Sequence, residues 1–565
     1  MKVLIIGGVA AGTKTAAKLK REDWNCDVTI ISKDQDISYA GCGLPYYVGG
    51  MIENREDLIV NTPTKYSGLT GVSVWTGQEA IGLDAQKKQV IIQDVATKAQ
   101  KICSYDKLVI AVGASAATLP IEGTKLSGVF KMRTPDDAQA IRRYARENHV
   151  KRAVVIGGGF IGLEAAENLL AIGISVTVVD FADQILPNIL DPEMAAYAKK
   201  HLLKAGIRVI TGTQAKKIVG EDRVTGLDTS AGMLPCEMLI MAAGIRPNTG
   251  FLENTGLQML KGTIIVDENM KTNLEDVYAA GDCVMVKNRI TGQPQWSPMG
   301  SSANLEGRTL AQILGGSKRR YPGVLGTGVV KLPGLNIGRT GLTEVGAVAA
   351  GYDVITVVVP TDDKAHYYPD ASFFITKLIA DRASHKLLGV QVMGPGAVDK
   401  MIDIGVMGIN MGAALEDFEN GDFAYAPPFS TAIHPFVQAV YVLMNKLEGR
   451  LISMTPAQYA SGAAKDYKVI DVAPSPSIRG AVYVNLAQVT GPIEGLGLNE
   501  KLLLVCARGK RGYFLQRRLR SFGYTNTVVL EGAAFMNDVK VENVQTPISK
   551  AEETRVKALG FLKDK

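Results

Sequence analysis

Residues 1–12 read Met-Lys-Val-Leu-Ile-Ile-Gly-Gly-Val-Ala-Ala-Gly, and residues 153–162 repeat the design as Ala-Val-Val-Ile-Gly-Gly-Gly-Phe-Ile-Gly. In each copy an apolar run meets a glycine-rich turn. A helical stretch follows, to about Arg21 in the first copy and Ala171 in the second, and then a second β-branched run at 28–31 and 176–179. Continuous β-branched runs mark strands buried on both faces of a parallel sheet. Strand, glycine turn, helix and strand in that order predict a dinucleotide-binding βαβ unit. Its glycines let a pyrophosphate approach the backbone and rest on amides at the helix start.

Working outward, 565 residues suggest three or four domains at roughly 150 residues each. Apolar residues make 46% and charged residues 21%, which argues against long disorder or a fibrous class. A net charge of +6 is too small for a nucleic-acid binder of this length. No apolar run reaches about 18 residues, so no membrane span is expected. The start, Met-Lys and then a strand, has no signal-peptide design. Six cysteines, at 26, 42, 103, 236, 283 and 506, form no disulfide framework. A reducing, cytoplasmic setting is expected, where a conspicuous Cys is more often catalytic than structural. No metal site is expected.

The second glycine turn matches G-x-G-x-x-G in full with Gly157, Gly159 and Gly162, and Phe160 and Ile161 open its helix. Glu164 follows, and Asp180 ends the next strand, where a carboxylate accepts from a ribose 2′-OH and repels a 2′-phosphate. NADH is therefore expected over NADPH. The first turn is less regular: Gly7, then Val9 at the middle glycine position, Ala10, Ala11 and Gly12. Ser32-Lys33 stand where an acid is expected, with Asp34 beside them. Two more segments complete the pattern: 105–113, ending in Ala111-Val112-Gly113, and 272–282, ending in Gly281-Asp282. With these four motifs in this order, residues 1–445 resemble the two-dinucleotide-binding flavoprotein disulfide reductases. The resemblance implies FAD on the first module, with Lys33, Ala111, Gly113 and Gly281 near it and Asp282 on its ribityl chain. It implies NADH on the second, and a return to the FAD half at 244–248, beginning at Gly244.

Many such reductases carry Cys-x-x-x-x-Cys after the first module, but here Cys42 stands alone in Ser38-Tyr39-Ala40-Gly41-Cys42-Gly43-Leu44-Pro45-Tyr46. A lone thiolate must pass electrons to an external sulfur or cycle through sulfenate. Attack on sulfur calls for a lowered thiol pKa. The stretch Ser38 to Tyr46 resembles the coenzyme A-disulfide reductase and NADH oxidase/peroxidase branch. Lys14, Lys18 and Arg21 share one helix face by spacing. The resemblance places them on CoA phosphates; a solvated basic face explains them equally well. Tyr367 and Tyr425, in His-Tyr-Tyr-Pro and Tyr-Ala-Pro-Pro, resemble two active-site tyrosines of that branch. There the Tyr-Ala-Pro-Pro segment comes from the partner subunit, which implies a homodimer. The first His is His149, which weakens a peroxidase reading.

Near the C-terminus a strand at 502–505 runs into Cys506-Ala507-Arg508-Gly509-Lys510-Arg511-Gly512. A Cys between strand and helix faces amide donors and the positive end of the helix dipole. Cys506, Gly509 and Arg511 match Cys-x-x-Gly-x-Arg, and about 465–535 resemble a rhodanese domain. Arg508 and Arg511 are then expected to attract anionic sulfur donors. Asp471-Val472-Ala473 lacks the Arg usual in the first rhodanese motif, so activity with thiosulfate is not expected. A purely structural module is the alternative.

The expected fold is α/β: two Rossmann-like dinucleotide-binding domains, an α+β dimerisation domain and a C-terminal rhodanese-like α/β domain. The expected boundaries are 1–115 and 249–325 for the FAD-binding domain, 116–248 for the NADH-binding domain and 326–446 for the dimerisation domain. A linker at 447–464, the rhodanese-like domain at 465–545 and a tail at 546–565 follow. The expected activity is NADH-dependent reduction of CoA disulfide or a CoA persulfide/polysulfide through FAD and Cys42, with Cys506 handling sulfane sulfur. An NADH oxidase/peroxidase cycling Cys42 through sulfenic acid is the first alternative, and a redox-sensing scaffold the second.

Overall fold

The strand Lys2–Ile6 exposes only its first residue, and Val3 to Ile6 are buried, as a central parallel strand requires. The computed structural model describes residues 1–539; the expected tail and the end of the 465–545 region lie outside them. Lys2–Ile6 is the middle of a five-stranded parallel sheet in the order Val277–Ala279, Lys107–Ile110, Lys2–Ile6, Asp27–Ile31, Ser73–Trp75. The helix Ala10–Glu22 packs along the helix Gly300–Leu314. Gly307 is required there, because a Cβ on it would lie 2.5 Å from Ala11 O.

The repeat seen in the sequence becomes a second parallel sheet, ordered Ile207–Ile210, Ser175–Val179, Arg152–Ile156, Met238–Met241, Val129–Lys131. Each parallel sheet is accompanied by a three-stranded antiparallel sheet, Gln78–Asp84 to Gln100–Ser104 in one module and Ala215–Gly220 to Gly232–Pro235 in the other. The chain leaves the first module on Ala114–Ala116 and returns on Ile245–Pro247, two strands that pair antiparallel. All of these elements belong to one compact unit, Met1–Pro187 with Lys199–Gly326.

Among the described residues, the second unit runs from Thr327 onward, together with Asn188–Ala198. The latter segment, within the 116–248 span expected for the nucleotide domain, clusters with this unit. The cause is electrostatic. Lys377 is fully buried, and its Nζ lies 3.0 Å from Asp191 Oδ2, 2.5 Å from Glu193 Oε1 and 2.5 Å from Glu344 Oε2. Gln391 Nε2 also donates to Asp191 Oδ2 at 2.6 Å. Charged residues read as surface in a pattern search, and this network inverts the reading.

The second unit holds a five-stranded antiparallel sheet, Gly328–Leu332, Leu335–Gly341, Leu387–Gly394, Phe373–Asp381, Val354–Asp362 in spatial order. The helices Val398–Met411 and Pro435–Leu447 share its core. A five-stranded parallel sheet follows, ordered Ser453–Met454, Thr527–Leu530, Leu502–Val505, Lys468–Asp471, Val482–Tyr483. Its first strand lies in the span 447–464, expected as a linker, and pairs with Thr527–Leu530. Two residues are too few to show a period. The next turn, Thr455-Pro456-x-Gln458, is a capping box opening Pro456–Ala460.

The exposed edge of the antiparallel sheet is sealed by the parallel one. Val358 N donates to Glu531 Oε2 at 2.9 Å, and Gly532 N donates to Val358 O at 3.1 Å. Lys446 Nζ and Ser453 Oγ both donate to Glu531 Oε1 at 2.6 Å. Edge amides that pair internally cannot recruit a foreign strand.

Replacing Lys377 by Met strands three carboxylates. It is expected to cost about 3–5 kcal/mol and to lower the unfolding midpoint of this unit in a thermal melt. A variant melting with the parent would show that the network contributes nothing.

Candidate functional site

Both glycine turns are shaped by contacts that a side chain would destroy. Gly7 has φ +112°, and a Cβ on it would lie 2.0 Å from Ala111 O; Gly157 has φ +118°, and its Cβ would lie 2.3 Å from Ala242 O. Cβ atoms on Gly12 and Gly162 would each lie 1.9 Å from the carbonyl oxygen of Gly7 and Gly157, respectively. Gly159 and Gly244 face open space within 4 Å. The helices Ala10–Glu22 and Phe160–Ala171 start at Val9 and Gly159 with no side-chain cap. Two cradles with uncapped helix amides at their floor suit two pyrophosphates. Asp180 anchors the second turn, accepting from Gly158 N at 2.5 Å and Ala182 N at 2.7 Å. A carboxylate with one lone pair per oxygen still free can also accept from a ribose hydroxyl.

The first cradle is closed by the 281–282 turn. A Cβ on Gly281 (φ +89°) would lie 2.9 Å from Ala11 Cβ, and Gly281 N donates to Glu306 Oε2 at 2.7 Å. Glu306 is buried, and that burial pushes its carboxyl up to about 8. Asp282 Oδ2 is 3.0 Å from Arg133 Nη2, beside Gly113, where a Cβ would lie 3.4 Å from the same nitrogen. Arg133 is set by the helix start that follows it. Its amide and that of Thr134 donate to Asp137 Oδ2 at 3.0 and 2.9 Å. Sequence reading missed both Arg133 and Glu306; the Thr134-x-x-Asp137 capping box was the available signal for the first. Lys33 Nζ, expected near FAD, is 2.7 Å from Glu79 Oε1. Lys14 and Lys18 are half-buried on Ala10–Glu22 and Arg21 is exposed; Lys18 pairs with Glu22.

Cys42 lies in the 3₁₀ turn Gly41–Gly43, which runs into the short helix Leu44–Val48. The turn is fixed from Ser38, in the left-handed region at φ +48°. Ser38 N donates to Gly8 O at 2.8 Å and its carbonyl accepts from Val60 N at 3.0 Å. Cys42 is the one exposed cysteine of the six; the other five are buried and none is disulfide-bonded. A Cβ built on Gly300 would lie 4.0 Å from Cys42 Sγ. The thiol therefore sits at the start of Gly300–Leu314, a 15-residue helix with no side-chain cap. That dipole favours the thiolate.

The expectation of a lowered Cys42 pKa is nevertheless corrected. Desolvation pushes the thiol up, the carboxylates of Glu164 and Asp282 push the same way, and Arg133 opposes them. Glu164, expected at the nicotinamide module, comes near because Leu44–Val48 packs on Phe160–Ala171. Tyr46 Oη reaches Glu164 Oε1 at 3.5 Å. Burial, and then Glu167, raise Glu164 to about 7.

On the second unit, the phenol of Tyr425 lies beside that of Tyr367 within one chain, and this neighbour holds the Tyr425 proton more tightly. Cys506 ends Leu502–Val505 and is buried, with Gly509 N donating to its Sγ at 3.1 Å. The two basic residues expected to attract substrate each have a partner in the chain. Arg508 pairs with Asp362, and Arg511 Nε donates to Val472 O at 2.6 Å.

Residues 1–301 match the family described as pyridine nucleotide-disulphide oxidoreductase, and residues 329–436 match its dimerisation domain. A protein of Methanocaldococcus jannaschii named NADH oxidase is 34% identical over 450 residues, 80% of this chain and 100% of that protein. The NAD(P)H coenzyme A polysulfide/persulfide reductase of Pyrococcus horikoshii is 36% identical over 444 residues, 78% of this chain and 98% of that one. The solved structure of an NAD-dependent persulfide reductase from A. fulgidus superposes with a TM-score of 0.90 at 33% identity, covering 95% of this chain and 100% of its own.

The electrostatics around Cys42 make an experiment direct. Glu164→Gln removes a carboxylate that disfavours the thiolate, so the Cys42 pKa falls and alkylation by iodoacetamide at pH 7–8 accelerates. Arg133→Gln moves the rate the other way. Rates that stay with the parent in both variants would show that neither group acts on the sulfur.

Proposed function

The chain belongs to the pyridine nucleotide-disulphide oxidoreductase family, and from that premise we propose that it is an NADH-dependent reductase of CoA disulfides and CoA persulfides acting through Cys42. The observation that carries this reading is the single exposed thiol at the head of an uncapped helix, on the module whose cradle fits FAD, with no second cysteine to close a disulfide. The turn at 7–12, Ala111, Gly113, Gly281 and Asp282 would hold FAD; the turn at 157–162, Asp180 and Gly244 would hold NADH. When bound, this pair of cofactors supplies two electrons from NADH to sulfur.

The protein's part is the sulfur chemistry. Cys42 thiolate attacks RS–SR′, forming Cys42–S–SR and releasing R′S⁻. Two electrons then cleave the mixed disulfide, returning Cys42 thiolate and RS⁻. The sum is RSSR′ + NADH + H⁺ → RSH + R′SH + NAD⁺; with a persulfide RSSH the products are RSH and H₂S. The helix Gly300–Leu314 and Arg133 favour the thiolate at each return. The neighbouring phenols of Tyr367 and Tyr425 can donate to a departing thiolate. A match to a dimerisation domain supports a homodimer.

The C-terminal sheet is read as a rhodanese-like sulfur carrier. Three features support this: five parallel strands, a Cys at the end of the central one, and an amide donated to its sulfur.

Cys42→Ser is expected to abolish disulfide and persulfide turnover while the flavin still bleaches with NADH; retained turnover would remove Cys42 from the reaction. Cys506→Ser should spare CoA disulfide and lower polysulfide turnover, measured as NADH consumption under anaerobic conditions. Equal rates on both substrates would remove the relay. Oxygen or peroxide consumption much faster than disulfide turnover would favour an oxidase instead.

A further inference from the structure

On the second unit a recess of about 100 Å³ opens between the segment 363–364 and the segment 428–435. Tyr367 follows the first segment by three residues, and Tyr425 precedes the second by three. Lys364 and Lys400 line it. Among the described residues neither ammonium has a carboxylate within ion-pair distance. They stand instead 6.0 Å over the Tyr368 ring and 5.6 Å over the Phe429 ring. Gly396 and Ala397 form another wall, where the 14-residue helix Val398–Met411 begins with no side-chain cap.

A neutral group also favours an acceptor. His434 Nδ1 accepts from Phe436 N at 3.2 Å, so the neutral ring carries its proton on Nε2 and offers a donor. Burial, then Lys400, lower this imidazole to about 4, which keeps it neutral near pH 7. One acid lines the recess, Asp363, and its Oδ1 accepts from Ser372 N at 2.6 Å. Two ammonium groups thus face one carboxylate already engaged by backbone. A cation gains nothing here, and the volume is too small for a nucleotide base with its sugar.

We propose that this recess is an oxyanion subsite that holds a phosphate or carboxylate borne by the thiol substrate and so presents the substrate's sulfur end to the Tyr367–Tyr425 pair. The assignment rests on the reading of those tyrosines as substrate-facing. It gives the enzyme a means of distinguishing a phosphorylated carrier thiol from an uncharged one: the sulfur chemistry is common to both, and only the anionic carrier gains the charge-assisted hydrogen bonds.

The test uses the full-length holoenzyme and two variants, Lys400→Met and Lys364→Met. Three substrates separate the sources of charge: CoA disulfide carries phosphate, glutathione disulfide carries carboxylate, and pantethine carries neither. The ratio of kcat/KM for CoA disulfide over pantethine is expected to fall about 10-fold in either variant. A fall confined to glutathione disulfide would assign the subsite to carboxylate. An unchanged ratio for both charged substrates overturns the proposal. A second measurement needs no turnover. Inorganic phosphate is titrated while the His434 ring resonance, assigned with His434→Gln, is followed by NMR. A saturable shift that Lys400→Met abolishes supports the subsite; no shift, or one unchanged in Lys400→Met, overturns it. If the parent enzyme turned over none of the disulfides while phosphate still moved His434, the reading of the reaction would fail and the subsite would stand.

Discussion

The first unit depends on the absence of a side chain at a few points where two stretches of backbone touch. At Gly7 and Gly157 a Cβ would penetrate the carbonyl of the neighbouring strand's exit, and at Gly12 and Gly162 it would penetrate the turn itself. Helix and sheet can then pack closely enough for uncapped helix amides to converge on one spot in each module. The same closeness brings the 281–282 turn against Ala11, and with it Asp282, Arg133 and the thiol of Cys42. The two cradles are consequences of one steric constraint applied twice.

Much of this was legible because it is local. Strand, turn and helix at 2–22 and 152–171 follow from β-branched runs and glycines, and Cys506 falls at the end of Leu502–Val505 as its flanking pattern predicts. What was not legible is long-range charge. Lys377, Asp191 and Glu193 look like surface residues until a buried network joins positions almost two hundred residues apart. Arg133 and Glu306 carry no motif of their own. Ser453–Met454 was lost for a different reason: two residues have no period, and their pairing with Thr527–Leu530 exists only in three dimensions.

The sulfur of Cys42 is held in balance. A helix start and a guanidinium favour the anion; desolvation and two carboxylates oppose it. A thiol poised in this way responds to any change in nearby charge, which suits the attack on sulfur proposed for it. One of the opposing carboxylates, Glu164, belongs to the second glycine-turn module, so the two halves of the unit meet electrostatically at the Cys42 sulfur.

Glu531 carries a consequence for anyone who would shorten the protein. Its two oxygens take up an edge amide at Val358, the ammonium of Lys446 and the hydroxyl of Ser453. Cutting the chain after the helix Pro435–Leu447 would yield a polypeptide about as long as the relatives that match this one over some 450 residues. It would not be their equivalent, since it would bare the β-margin at Val358 and take from Lys446 its carboxylate partner. The C-terminal portion behaves as a keystone, and excising it trades a sealed sheet for a seed of aggregation.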